Sequence, residues 1–540
     1  MNTWTHIYDP LNNIWLSALV AALPILFFVL CLTVFKMKSY LSGLYSVILA
    51  LILAIFVYKM PATMAVSSAA FGVAAGFYPI CTIVIAAIFL YKLTVKTEQF
   101  NVIRDSISSI TSDPRLQVLL IAYSFGAFLE GAAGFGVPVA ITAALLVGMG
   151  FDPLKAAGIC LVANIAGGAM GAMGIPVTVP AQLTELDALT VGRQTVTLLP
   201  FISFVLPFIL VSMVDGIKGI KETWQGILVS GGSFALTQFT ITYFLGAELT
   251  DIFAAVVSMV ALALFLKVWQ PKSSASKETK QAKQTSYTFK QILYAWSPFV
   301  FLTAFVTIFN LQAVKNLFAP DGMLGKLVWN IEVPGLHNQV IKTTPIVSAD
   351  TPFAAIFKLD VFSSTTTAIV LAIIVSLLLF RANGKLIKEL TIETLKELKT
   401  PIYTICSVIA LAYVTNYSGM SSTLGLALSS TGDVFPVLSP ILGWIGVFLT
   451  GSVVSSGSLF APLQAVTAAQ LDIVPSTLVA LNVVGGTMAK MVSPQSIAVA
   501  CAAVGLVGKE SSLFKITMKY SLIFLAIISL LQLNTIFNIF

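Results

Sequence analysis

The sequence predicts an all-α polytopic membrane protein, with about 12 transmembrane helices plus two re-entrant helical hairpins arranged in inverted repeats. Three observations carry this expectation. Of the 540 residues, 57% are hydrophobic and only 10% charged, where a soluble domain carries about 25% charged residues. Apolar runs such as Ser39–Tyr58, Gln291–Phe309 and Ser521–Phe537 approach the roughly 20 residues that a helix needs to cross a ~30 Å hydrocarbon core. Finally, two distant segments match residue for residue in Asn, Gly-Gly and Pro positions. The alternation of a lipid-facing β-strand is absent, so the spans are helical.

In order, the apolar segments predict spans near 15–35, 39–58, 64–92, 154–182, 196–214, 224–246, 252–268, 291–318, 361–380, 401–417, 474–506 and 520–538. Trp15–Phe35 reads as a retained first span, since no cleavage-site pattern follows it. Two further stretches, 117–148 and 440–468, are interrupted by glycines and serines, which suits hairpins that enter the membrane and turn back.

Loop charges test the topology, because Lys and Arg gather on the cytoplasmic side. The basic loops are Lys36/Lys38, Lys92–Arg115, Lys218/Lys221, Lys267–Lys290, Arg381–Lys399 and Lys509–Lys519. All fall on one side only if both hairpins are re-entrant. Both termini and the Ala319–Asp360 loop are then external. The net charge of +7 belongs to these loops and predicts no nucleic-acid partner. The polar stretch Lys272–Ser286 reads as a solvated cytoplasmic loop rather than a lipid-binding patch.

The repeat aligns "NIAGGAMGAMGIP" (Asn164–Pro176) with "NVVGGTMAKMVSP" (Asn482–Pro494), and upstream "FLEG" (Phe128–Gly131) with "FLTG" (Phe448–Gly451). One hairpin follows a cytoplasmic loop and the other an external one, so the repeats are inverted. Inverted repeats with broken helices are the architecture of secondary transporters, whose sites lie at the repeat interface. The expected organisation is 1–115 scaffold spans, 116–195 first transport repeat, 196–268 scaffold spans, and 269–290 a Lys-rich linker. After these come 291–435 scaffold spans with the 319–360 loop, 436–508 second transport repeat, and 509–540 the C-terminal span.

Glu130 is the strongest single candidate, because a carboxylate at membrane depth is costly unless protonated, paired or wet. It is the expected proton-coupling residue. Gly131, Gly134 and Gly136 permit a non-helical tip whose N–H groups can face an anion. Lys490 replaces Ala172 in the repeat alignment, and can pair with a substrate carboxylate or with Glu130, or reach back to the cytoplasmic face. Asn164, Asn482, Ser455, Ser456, Ser493 and Gln495 offer hydrogen bonds to a small polar solute or to broken-helix backbone. The cysteines Cys31, Cys81, Cys160, Cys406 and Cys501 lack metal-ligand spacing, and His6 and His337 receive no role. No phosphate loop, metal cluster or nucleophile–base set is visible, so neither enzyme activity nor a cofactor is expected.

"SFGAFLEGAAGFGVPVAI" (Ser124–Ile141), "GAMGIP" (Gly171–Pro176) and "KMVSPQSIAVACAAVGL" (Lys490–Leu506) resemble the bacterial lactate permease family. The resemblance covers most of the chain. It implies a cytoplasmic-membrane symporter for L- and D-lactate and related 2-hydroxymonocarboxylates such as glycolate, driven by protons. It also implies the ion transporter superfamily, with an elevator motion of a transport domain against a scaffold. Implied partners are small hydroxy acids, protons and membrane lipid, and a homodimer is the oligomeric expectation. One departure stands out: many members read approximately "GSDTSSNALF" in the second hairpin, where this chain has "GSVVSSGSLF", with Val453 and Gly457. A Na⁺-coupled carrier of the same fold is the alternative, with carbonyls near Gly167–Gly168 and Gly485–Gly486 as ligands. A membrane receptor or membrane-embedded enzyme is the remote one.

Overall fold

A computed structural model describes residues 3–134, 136–271 and 287–537. The expected linker Lys272–Ser286 therefore lies outside the described residues. The first helices are α1 (Ile14–Thr33), α2 (Ser39–Phe56) and α3 (Ala62–Ala75), and α3 passes through a π-helical turn at Gly76–Cys81 into α4 (Thr82–Lys96). The Asn13 side chain accepts from the Trp15 and Leu16 N–H groups and starts α1. A short amphipathic helix, α5 (Gln99–Ser108), leads to the first hairpin. Its first arm is α6 (Pro114–Val118), a π-helical stretch Leu119–Phe125 and α7 (Gly126–Ala132); its second is α8 (Val137–Gly148).

The next span is broken into α9 (Pro153–Ala163), α10 (Ile165–Gly168) and α11 (Gly171–Leu183), bent by 51° between Gly168 and Gly171. After α12 (Ala188–Thr195), one helical run α13 (Leu199–Phe244) doubles back at Asp215 and Gly216, where Gly216 has φ 62°. Ser203 donates to Gln238 Oε1 at 2.8 Å across the fold, so the run supplies the two spans expected at 196–214 and 224–246. Next come α14 (Thr250–Val268), α15 (Phe289–Asn310), α16 (Gln312–Leu317), α17 (Thr365–Leu379) and α18 (Gly384–Tyr417). The buried α19 (Met420–Ser429) precedes the second hairpin, α20 (Phe435–Thr450) and α21 (Val453–Gln470). A second broken span, α22 (Pro475–Ala489) and α23 (Pro494–Ala503), is joined by a 3₁₀ turn at Lys490–Val492, and α24 (Glu510–Phe537) closes the chain.

Among the described residues nine helical runs are long and apolar enough to cross a membrane, and counting the bent pair as one span makes ten. The chain is a predominantly helical, multi-pass membrane protein. Several bounds differ from expectation. The helix expected at 401–417 begins at Gly384, because Asn383 caps it and its polar first half pairs with α4. There Lys96 meets Glu389 and Glu393 at 2.8 and 2.9 Å, and Lys92 meets Glu397 at 2.5 Å. The span expected at 291–318 stops at Asn310, where Leu311 turns extended.

The 319–360 loop carries strands. β1 (Trp4–Thr5) pairs in parallel with β3 (Val340–Lys342), which pairs antiparallel with β4 (Thr351–Pro352); β2 (Trp329–Glu332) pairs antiparallel with β5 (Ile356–Leu359). This cap fastens the N-terminus and buries His6, whose Nε2 lies 2.9 Å from the Tyr417 carbonyl.

Two basic residues meet the bend of α13. Arg115, fully buried, meets Asp113, Asp215 and Glu222 at 2.8, 3.1 and 2.6 Å, and Lys155 donates to the Val214 carbonyl. Both ends of the first hairpin are thus anchored there. The second hairpin ends at the strand-bearing face, where Gln470 Nε2 donates to the Pro345 carbonyl.

Candidate functional site

Glu130 sits in the last turn of α7, only 2% exposed. Aromatic packing of Phe128 against Trp296 and Phe299 fixes this arm, and Ser124 bonds Ser258 of α14 at 2.9 Å. Lys490 emerges from the end of α22, 9% exposed, and its ammonium donates to Glu130 Oε1. The second glutamate oxygen, Oε2, has no hydrogen-bond partner among the described residues. The lysine thus pairs with Glu130 and does not reach out to the membrane face. A buried ion pair of this kind gives little net stability, but removing one partner strands the other charge.

Asp251, in the first turn of α14, is a third ionisable group in the same place. It is 1% exposed, and neither carboxylate oxygen has a hydrogen-bond partner among the described residues. Glycines admit it. A Cβ on Gly131 would lie 2.8 Å from Asp251 Cβ, and one on Gly167 would lie 2.9 Å from Asp251 Oδ2 and 3.1 Å from Glu130 Cβ. On Gly171 it would lie 2.7 Å from Glu130 Oε1, and on Gly168, 3.5 Å from Lys490 Cδ. The broken span is therefore glycine-rich where it must pass the charged side chains. Sequence reading missed Asp251 because it stands one residue before an apolar run at 252–268 and looks like a span boundary; a charge abutting that run was the available signal.

The other expected residues divide. Gly134 (φ 61°) and Gly136 (φ 86°) do form the turn between α7 and α8, facing Ala172 and Val499. Gly131 does not: it is helical, and close packing on α14, not backbone freedom, requires it. Among the described residues, Asn164 ends α9 with its Oδ1 unpartnered, and Asn482 lies inside α22 with both side-chain polar atoms buried and unpartnered. Ser456 spends its hydroxyl on the Gly443 carbonyl at 3.1 Å, so it holds the arms of the second hairpin together rather than facing a solute. Ser493 caps α23, accepting from the Ser496 N–H, and its hydroxyl also lies 2.8 Å from Ser496 Oγ. Ser455 has its N–H capped by Ser452, and no hydrogen bond of its hydroxyl is found among the described residues. Gln495 is exposed beside Gly451, the φ 72° residue at the second turn. No cluster of His, Cys, Asp and Glu that could hold a metal occurs among the described residues.

A cavity of about 470 Å³ lies beside strand β5, lined by Tyr78, Met173, Gln182, Glu248, Lys315 and Lys358 among others. From α11 it is lined by Met173, Ile175, Thr178, Val179 and Gln182, and Met173 belongs to the left-handed stretch Ala172–Gly174. Gly174 is pressed on the backbone of Ala247 and Glu248, where a Cβ would come within 2.7 Å. Burial raises the Glu248 carboxyl above its ordinary range, with Lys315 opposing.

A protein-family profile described as L-lactate permease matches residues 17–538. The glycolate permease GlcA of Escherichia coli (strain K12) is 51% identical, covering 99% of this chain and 98% of its own. An L-lactate permease of the same strain is 51% identical over 98% of both chains, and that of Bacillus subtilis (strain 168) is 48% identical over 98% and 97%. Among solved structures, the Alcanivorax borkumensis YdaH transporter is similar over 85% of this chain and 86% of its own, at 15% identity and TM-score 0.42. That likeness is too distant to transfer topology.

Proposed function

Because the chain belongs to the L-lactate permease family, we propose that it imports lactate, in L- and D-forms, and related 2-hydroxymonocarboxylates such as glycolate by proton symport across the cytoplasmic membrane. The names of the lactate and glycolate permeases it resembles support the substrate class. The observation that carries the mechanism is the buried Glu130–Lys490 pair, an internal carboxylate–ammonium contact that an incoming carboxylate can replace.

On this reading the substrate anion takes Lys490, and Glu130, losing its counter-ion, takes a proton. The substrate's negative charge and the added proton cancel, so binding leaves the net charge of the cluster unchanged. A half-loaded carrier would move an unbalanced charge through an apolar barrier, which costs several kcal/mol. The 2-hydroxyl would bond Asn164 or Asn482, which carry buried polar atoms without a partner among the described residues, or Ser455. Hairpin N–H groups near Gly134 and Gly136 would assist the carboxylate. The hairpins are read as re-entrant, and the repeats 116–195 and 436–508 as the part that moves in an elevator cycle against the remaining spans.

Reconstituted protein in liposomes tests this. Labelled lactate should accumulate when the outside is made acidic, and short 2-hydroxy acids should compete better than their 2-deoxy analogues. Glu130→Gln should abolish accumulation under a pH gradient; undiminished accumulation would sink the assignment of Glu130. A Na⁺-coupled reading draws on the unpartnered oxygens of Asp251, Glu130 and Asn164. Replacing Na⁺ by choline at fixed pH separates the two.

A further inference from the structure

We propose that Asp251 holds a resident proton in the empty carrier, and that this proton is what allows the empty carrier to return across the membrane. The inference rests on the proton-symport reading through Glu130 and adds a second acid, which keeps its proton while Glu130 gains and loses one.

Placement carries it. Asp251 is 1% exposed, in the first turn of α14. Its Oδ2 lies 2.9 Å, and the Glu130 Cβ 3.1 Å, from the point where a Cβ on Gly167 would sit, so the two acids share one glycine wall. The charged groups facing Asp251 are Glu130 from α7 and Lys490 from the turn after α22. Neighbouring elements add none. Helices α10 and α11 have no titratable side chain, and the charges of α13 sit at its bend, Asp215 to Glu222. Tyr243 of α13 is exposed, and Tyr123 of the π-helical stretch donates its hydroxyl to the Ser203 carbonyl. Glu248, in the turn before α14, lines the cavity at β5.

The unpartnered side chain is the second, independent observation. Neither Asp251 oxygen has a hydrogen-bond partner among the described residues, not even an N–H of its own helical turn, whereas Glu130 Oε1 holds the Lys490 ammonium. Buried polar groups are nearly always bonded, and an exception calls for a reason. Two carboxylates beside one ammonium carry one surplus negative charge. Burying an unpaired carboxylate costs far more than the weak favour a helix N-terminus gives it, so the acid without the ammonium takes the proton.

With Asp251 protonated, the empty cluster of Glu130, Lys490 and Asp251 is neutral. Loading adds a substrate carboxylate at Lys490 and a proton at Glu130, and the cluster is neutral again. Unloading reverses both: Glu130 gives its proton to water, the anion leaves, and Glu130 rejoins the ammonium. The Asp251 O–H bond neither forms nor breaks in this cycle. An empty carrier that loses this proton holds one negative charge and stalls.

The test uses the full-length protein and two readouts. Infrared spectra of the substrate-free protein at neutral pH should show the carbonyl stretch of a protonated carboxylic acid. That band should shift when aspartate is ¹³C-labelled at its carboxyl carbon, and be absent from Asp251→Asn. Adding lactate should bring a second acid band, which shifts with labelled glutamate and is absent from Glu130→Gln. In liposomes, the outside is held acidic while the internal pH is stepped upward. Each pH unit past a titration leaves about a tenth of the protonated form, so initial lactate uptake by the wild type should pass through a maximum and fall at least about threefold. Asp251→Asn cannot ionise, and its uptake should stay within about 1.5-fold of its highest value. The resident proton is overturned if labelled wild type shows no aspartic acid band, if the band persists in Asp251→Asn, or if Na⁺ abolishes it. An equal alkaline fall in both proteins, or none in the wild type, overturns the role in carrier return. A resident aspartic acid band with no lactate-induced glutamic acid band removes the symport reading through Glu130 instead. Should Asp251→Asn fail to fold, the aspartate label in the wild type decides.

Discussion

Lys490 and Glu130 form a buried ion pair although 360 residues separate them, one on each repeat. Lys490→Met alone leaves Glu130 and Asp251 with no cation, and stranding a buried charge costs about 3–5 kcal/mol. Adding Glu130→Gln should recover at least half of that loss. Thermal unfolding in detergent reads both, and a double variant as unstable as the single would show that the lysine's packing, not its charge, matters.

The glycine wall around the cluster should tolerate no methyl group. Gly171→Ala puts a carbon 2.7 Å from Glu130 Oε1, and Gly167→Ala one 2.9 Å from Asp251 Oδ2. Overpacking of this kind costs about 1–3 kcal/mol and displaces the acids. Transport should fall at least about tenfold, given how steeply positioned groups lose effect when moved by about 1 Å. Gly148→Ala, with open space around its Cβ, is the matched control and should leave uptake unchanged.

Arg115 is fully buried and meets Asp113, Asp215 and Glu222, tying the base of the first hairpin to the fold of α13. Its planar fork serves several acids at once, which a lysine cannot match. Arg115→Met should cost about 3–5 kcal/mol and Arg115→Lys less. Protease protection of the Asp215–Glu222 bend gives a local reading, and unchanged protection in Arg115→Met would count against the anchor.

Stability should fall in acid because of His6. Burial, partly opposed by its hydrogen bond to the Tyr417 carbonyl, lowers its folded-state value to about 4 from 6.5. The neutral ring is thus favoured by the fold, and that stability is fully present above pH 6.5 and lost as pH falls toward about 4. A shift of that size corresponds to about 3 kcal/mol. His6→Gln should flatten the melting temperature between those limits, compared with the steep fall of the parent chain.

Hydropathy alone revealed most spans, because lipid imposes length and apolarity on each of them. The fold-back at Asp215–Gly216 was legible as a charged gap between two runs, and the helix–turn–helix breaks at Gly134–Gly136 and Gly451 as glycine- and serine-rich interruptions. Helices α5, α12 and α19 were not, being short, and the strands of the 319–360 cap are too brief to show a period. Within the site, Glu130 and Lys490 stood out as charges in apolar surroundings. Asp251 did not, since its burial depends on Gly131 and Gly167, more than a hundred and about eighty residues before it. Ser456 and Ser493 looked like ligands because a hydroxyl's partner cannot be read from sequence; both turn out to serve backbone.

The separation of the charged partners also orders biosynthesis. A chain made from its N-terminus threads Glu130 and Asp251 into the bilayer long before Lys490 leaves the ribosome. Until α22 arrives, the nascent protein carries acids without their counter-ion. A product truncated before that helix lacks the counter-ion altogether.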